Sequence, residues 1–323
     1  MKDQATEKFP ARPKIVFMGT PEFAVPGLRA LIEHGYDVLA VVTQPDRPKG
    51  RGRKVVQPAV KQAAVEYGIE VLQPEKALEQ KFCETIRSKA PDLLVVVAFG
   101  QILKKYLLDI PRWGGLNIHA SLLPRYRGAA PINWAIINNE TKTGLSAMRI
   151  DEGLDTGPVL MQEELTILPD ETAGQLHDRL ARLSGDFLIR TLTGWTKNSF
   201  RETPQDHDDS SYAPKIDREM SMIRWDEHAN AISALIRGLD PWPGAVTMVQ
   251  GRVIKLFSSG VVNEERKGLI PGMVAGHSAD GLEVGTGNGT VFIRELQIPG
   301  KRRLPVSDFL RGFPLDRGTL LGK

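Results

Sequence analysis

Asn117 and His119 stand two residues apart at the end of the apolar run Gly114 to His119. If that run is a strand, its side chains alternate between faces, so the carboxamide and the imidazole emerge together while Ile118 points the other way. A carboxamide beside an imidazole suits stabilisation of a developing oxyanion and proton transfer near neutral pH. At the C-terminal end of a parallel strand the pair would occupy the edge where open α/β sheets bind ligands. The plainer alternative is that both residues only cap backbone at a strand end. Two polar side chains on one face of an otherwise apolar strand weigh against it.

An imidazole in such a role needs a carboxylate to orient it and to favour its charged form. The segment from Asp151 to Gly157 offers three, Asp151, Glu152 and Asp155, in a Gly-bearing turn. Taken alone it reads as a hairpin turn, and spacing does not choose among the three. Other chemistries lack their residues. Gly19-Thr-Pro-Glu-Phe follows the first apolar run where a dinucleotide site would need G-x-G-x-x-G, and there is no G-x-x-x-x-G-K-[ST]. The six His are scattered with no paired metal spacing, so no metal is expected. The single Cys83 excludes an internal disulfide and a Cys-based zinc site.

The elements that must position these groups are legible. Lys14 to Met18, Val38 to Val42, Ile69 to Leu72, Leu93 to Val97 and Gly114 to His119 are short apolar runs. Helical patterns from Pro26, over Ala59 to Tyr67 and over Phe82 to Lys89 alternate with them, which predicts a parallel sheet covered on both faces. Ile132 to Asn138 is a further helix. Leu145 to Arg149 and Val159 to Ile167 read as strands with no helix between them, an antiparallel edge. Thr172-x-x-Gln175 is a capping box opening a helix through Leu176, Leu180, Leu183 and Phe187. Arg201 to Lys215 is polar, aperiodic and Pro-bearing, and reads as a linker. Beyond it come a helix at Ala229 to Arg237 and five short β runs, separated by turn pairs such as Gln250-Gly251 and Asn288-Gly289. That spacing suggests a small β-barrel of the OB type. The fold class is therefore α/β, a Rossmann-like, mostly parallel sheet followed by an OB-like barrel.

With these elements in view, Asn117-x-His119-x-Ser-Leu-Leu-Pro-x-Tyr-Arg-Gly-x-x-Pro131, followed by Asp155-Thr-Gly, resembles the 10-formyltetrahydrofolate-dependent formyltransferases. Phe17 to Phe23, Thr43 to Pro48 and Asp240 to Ala245 extend the likeness over nearly the whole chain, with no departure at the catalytic positions. The resemblance selects Asp155 as the carboxylate, beside Asn117 and His119. It implies a catalytic domain over 12–200, a linker over 201–215 and a C-terminal tRNA-binding domain over 216–323. It implies folate as the formyl-donor co-substrate, near Phe99, Gln101, Ile102 and Leu103 and near the turn Ser121, Leu122, Leu123 and Pro124, and no metal. The acceptor it implies is the α-amino group of methionyl initiator tRNA.

Charge bears on that acceptor. The net charge of +3 is small, but Asp46 to Lys54 reads DRPKGRGRK, and Lys301, Arg302 and Arg303 form a second cluster. Arg47, Lys49, Arg51, Arg53 and Lys54 are expected to meet tRNA phosphates, with Lys301, Arg302 and Arg303. A free-standing glycinamide ribonucleotide formyltransferase would stop near the linker, and hydrolase or dehydrogenase relatives carry other domains. A sugar-nucleotide formyltransferase is the nearer rival, but a small acceptor needs no such basic loop. A non-catalytic RNA-binding protein would leave Asn117, His119 and Asp155 unexplained.

The 323 residues, 41% apolar and 25% charged, exclude wholesale disorder and coiled coil. No apolar run approaches a membrane span, and Met1 to Lys14 lacks the apolar centre of a signal peptide. A cytoplasmic monomer without membrane contact is expected.

Overall fold

The computed structural model describes residues 8–49, 54–263, 268–278 and 280–322, with Lys49, Lys54 and Asn263 described in backbone only. The chain forms two units. Unit 1 comprises Met1–Ala129, Gly144–Leu165 and His177–Ala213, and unit 2 comprises Ala130–Thr143, Thr166–Leu176 and Pro214–Lys323.

Unit 1 is built on a seven-stranded sheet. Its strands are β1 (Lys14–Gly19), β2 (Asp37–Val42), β5 (Val71–Leu72), β6 (Leu93–Val97), β7 (Gly115–His119), β9 (Lys142–Arg149) and β10 (Val159–Thr166), in the order β10-β9-β7-β6-β1-β2-β5. β1 pairs in parallel with β2 and β6, β2 with β5, and β6 with β7. β7 then pairs antiparallel with β9, placing His119 opposite Ser146. The mostly parallel sheet and its antiparallel edge match the sequence reading. Every residue of β6 is buried, as expected for a strand covered on both faces. Helices α1 (Val25–Glu33), α2 (Ala59–Glu66), α3 (Gln80–Lys89) and the short α4 (Lys105–Leu108) follow successive strands. Phe82, Cys83 and Ile86 of α3 pack with Val16, Leu94 and Val96 of the sheet.

Two differences from the sequence reading concern stretches taken as irregular. The basic segment contains an antiparallel hairpin, β3 (Arg47–Lys49) and β4 (Lys54–Val56), with Lys49 opposite Lys54. Residues 50–53, Arg51 and Arg53 among them, lie outside the described residues. The polar stretch expected to be a linker stays with unit 1 as far as Ala213. Thr203 bridges Val159 through reciprocal backbone hydrogen bonds of 2.9 and 2.8 Å. β11 (Tyr212–Ala213) pairs in parallel with β8 (Arg127–Gly128). The segment lacks apolar periodicity because backbone and polar side chains, not a buried apolar face, attach it.

Unit 2 contains α5 (Pro131–Ile137), α7 (Ala229–Gly238), α8 (Val306–Gly312) and an antiparallel sheet. Strands β12 (Ala245–Val249), β13 (Arg252–Asn263), β16 (Thr290–Gln297), β15 (Gly281–Gly285) and β14 (Val274–Ser278) pair in that order, and β17 (Leu304–Pro305) adds to β16. Gln250 and Gly251 both adopt positive φ between β12 and β13, as a tight hairpin turn requires. Trp225, Ile232, Ile236, Leu256, Ile293 and Phe309 belong to one core, against which Trp134 and Ile137 of α5 also pack. Helix α6 (Ala173–Thr196) opens with the expected capping box. The Thr172 N–H donates to Gln175 Oε1 at 2.9 Å, and the Gln175 N–H donates to Thr172 Oγ1 at 3.3 Å.

Candidate active site

Along β7, Leu116 and Ile118 are buried and Asn117 is half-buried. His119 is 7% exposed. Its Nε2 lies 2.9 Å from the Tyr126 carbonyl oxygen. A carbonyl only accepts, so Nε2 carries a proton and Nδ1 is the nitrogen left to exchange one. Nδ1 faces Asp155 Oδ2 at 3.7 Å. Asn117 Nδ2 donates to Asp155 Oδ1 at 3.5 Å. The Gly128 N–H donates to Asp155 Oδ2 at 2.8 Å. Carboxamide, imidazole and carboxylate therefore converge within unit 1.

The same geometry separates the three acidic candidates of the turn. Asp151 Oδ1 accepts from the Gly153 N–H at 3.1 Å and from Thr156 Oγ1 at 2.7 Å, so Asp151 closes the turn on itself. Glu152 is exposed. Asp155 is turned to His119 by a left-handed backbone, φ 53°. Gly157 lets this turn approach β9, because a Cβ there would stand 1.9 Å from the Arg149 carbonyl oxygen.

The turn after β7 is held by Ser146, which sequence reasoning missed. Its hydroxyl donates to the Ser121 carbonyl at 2.6 Å, accepts from the Leu123 N–H at 3.0 Å and lies 2.9 Å from Gln162 Nε2. Ser121 donates to the Arg125 carbonyl at 2.7 Å. Leu123 is buried, while Leu122 and Pro124 are half-buried. Ser146 is fully buried inside β9, and only its place opposite His119 could have drawn attention to it.

The four residues after β6 divide. Phe99 and Leu103 are buried in the core with Phe82 and Leu107. Gln101 is tied to the 75–77 segment, accepting from the Ala77 N–H at 2.7 Å and donating to the Glu75 carbonyl at 3.2 Å. Ile102 is 64% exposed.

Of the basic residues, Arg47 is exposed on β3. The hairpin base is fastened by Lys61 Nζ, which donates to Asp46 Oδ2 at 2.7 Å and to Gln73 Oε1 at 2.8 Å. Hydrogen bonds from Lys61 and Gln73 hold the Asp46 carboxyl below its ordinary value. In unit 2 Lys301 and Arg302 are exposed. Arg303 is engaged within unit 2. Its guanidinium grips Asp240 at 2.7 and 3.0 Å, pairs with Glu295 and lies 4.1 Å over the Phe257 ring. Among the described residues no group of three or more His, Cys, Asp or Glu could hold a metal ion, and no helix is long and apolar enough to cross a membrane.

Comparison with known proteins identifies the family. Residues 13–192 match the formyl transferase family and residues 215–314 match the formyl transferase C-terminal domain. The methionyl-tRNA formyltransferase of Syntrophus aciditrophicus is 49% identical over 97% of this chain and 100% of its own length. That of Pelotomaculum thermopropionicum is 49% identical over 96% of this chain and 99% of its own. Among solved structures, WlaRD, a sugar 3N-formyl transferase seen with dTDP and 5-N-formyl-THF, superposes with a TM-score of 0.66. It is 20% identical, over 91% of this chain and 100% of its own, and shares the fold. The chain belongs to the formyl transferase family, among its methionyl-tRNA formyltransferases.

Proposed function

We propose that this chain transfers the formyl group of 10-formyltetrahydrofolate to the α-amino group of methionyl initiator tRNA, preparing it for translation initiation. The observation that carries the reading is the convergence of Asn117, His119 and Asp155 in a chain 49% identical over its length to methionyl-tRNA formyltransferases.

The folate supplies the formyl group on N10 and leaves as its amine. Asn117 donates to the formyl oxygen as negative charge builds there on attack by the amine. Its present contact to Asp155, at 3.5 Å, is at the long limit of a hydrogen bond and is readily exchanged for a shorter one. His119 carries the mobile proton at Nδ1, because Nε2 is committed to Tyr126. Asp155 stabilises the imidazolium and receives the proton lost by the attacking amine, and His119 returns a proton to the departing nitrogen. Holding the two substrates together supplies much of the rate. No covalent enzyme intermediate and no metal are required.

The folate is proposed to lie between the loop carrying Gln101 and Ile102 and the turn Ser121 to Pro124. Arg47, Lys49, Arg51, Arg53 and Lys54, with Lys301 and Arg302, are proposed to meet tRNA phosphates. The protein acts as a cytoplasmic monomer in this reading. The test offers the purified protein 10-formyltetrahydrofolate with methionyl initiator tRNA or with an amino-sugar nucleotide. Formylation of the tRNA alone is expected, and formylation of the sugar alone would overturn the reading.

A further inference from the structure

Two residues other than Gly at the site hold left-handed backbone: Tyr126 at φ 60° and Asp155 at φ 53°. Such conformations are uncommon, most of all for a bulky residue, and persist where the surroundings determine them. Tyr126 presents the carbonyl that fixes His119, and Asp155 presents the carboxylate. Both are held from the same place, the polar stretch that the sequence reads as a linker. The Tyr126 N–H donates to Ser211 Oγ at 2.8 Å. Gln205 Nε2 donates to the carbonyls of Asp155 and Gly157, at 2.9 and 2.7 Å. Gln205 Oε1 accepts from Arg127 Nε and Nη2, at 3.0 and 2.8 Å. Both donors and both lone pairs of the Gln205 amide are thus engaged, which fixes its orientation. Arg127 is 8% exposed and also reaches His207 Nδ1 at 3.2 Å. Backbone bonds from Arg127 to Ser211 and from Ala129 to Ala213, each 2.9 Å, lace the stretch down.

We propose that residues 203–213 form a positioning strap for the reaction centre, in which Gln205 holds Asp155 and Ser211 holds the Tyr126 carbonyl against His119. The proposal rests on the catalytic reading given above. Neither Gln205 nor Ser211 touches a reacting atom in that reading. Each sets the direction of a group that does. Arg127 supports the strap by fixing the Gln205 amide, so that its two donations point at the Asp155 turn. A role in overall stability alone would leave turnover unchanged in any variant that still folds.

The test uses the full-length protein with Gln205→Leu, which keeps the bulk and removes all four hydrogen bonds. We expect kcat to fall about tenfold, with KM for both substrates little changed, as for a group acting on the transition state. In an Asp155→Asn background the same change should add little, because Gln205 acts through Asp155. An equal fall in both backgrounds, or no fall in a folded variant, would overturn the proposal. A measurement that needs no substrate separates this from failure of the functional reading. Hydrogen exchange of the Gly128 N–H, bonded to Asp155 Oδ2, should speed up in Gln205→Leu, and unchanged exchange would overturn the strap whatever the acceptor proves to be. Should Gln205→Leu not fold, Ser211→Ala removes a single hydroxyl and should lower kcat severalfold with KM preserved; wild-type kcat there would overturn the proposal.

Discussion

His119 is held at Nε2 and faces a carboxylate at Nδ1, so removing it takes away the mobile proton and the imidazolium together. His119→Ala should lower kcat by roughly two orders of magnitude or more. KM for folate and for tRNA should change little, which steady-state kinetics on the folded variant would show. Asn117 offers a sharper contrast. Asn117→Ala removes one donor. Asn117→Asp sets a second carboxylate about where Nδ2 now lies, 3.5 Å from Asp155, and two such groups resist ionising together. The Asp variant should therefore be at least as slow as the Ala variant. An Asp variant with wild-type turnover would show that Asn117 plays no electrostatic part.

At the scale of elements, the basic hairpin and the second cluster should fail differently. Asp46 is paired with Lys61 at the hairpin base, so it does not neutralise the cations further along. Each cation that meets a phosphate releases counterions, and the log–log dependence of affinity on salt then has a slope of about 0.7–0.9 per contact. Arg51→Ala should weaken tRNA binding and flatten that slope by about one contact. Identical slopes for variant and wild type would remove Arg51 from the interface.

The cluster after β16 should split between binding and stability. Lys301→Ala with Arg302→Ala should weaken tRNA binding and leave thermal unfolding in place. Arg303→Met should do the reverse, because it removes the charge facing Asp240, whose side chain is 4% exposed and keeps the Ser258 N–H at 3.1 Å. Removing one partner of a pair whose carboxylate is buried lowers stability, readable in denaturant unfolding. Sequence could not make this division. Three adjacent cations look alike until the chain folds and brings Asp240 and Glu295 to one of them.

For the whole molecule, the parallel sheet and the pairing of Asn117 with His119 were legible because strand alternation and apolar runs are local properties. Asp155 was one of three candidates on spacing; the family resemblance selected it, and the fold turns it toward His119. Ser146, Gln205 and Ser211 were invisible, since each acts on residues far along the chain through a single polar group. The β3–β4 hairpin was hidden for a related reason. It is short and exposed, so no buried face leaves a periodic mark.

The division into two units has a consequence for recombination. The chain passes between the units five times, at the ends of Ala129, Thr143, Leu165, Leu176 and Ala213. The C-terminal segment is therefore not a cassette. A cut after Ala213 would leave behind Ala130–Thr143, whose Trp134 and Ile137 pack against the core of unit 2. The shortened chain should expose that apolar surface and aggregate, which light scattering would reveal, and a soluble monomeric fragment would contradict this. A chimera that borrows a relative's C-terminal segment should likewise fold well only if 130–143 and 166–176 come from the same parent. Crossovers confined to position 213 should yield mismatched cores, while exchanges that move all three segments together should survive.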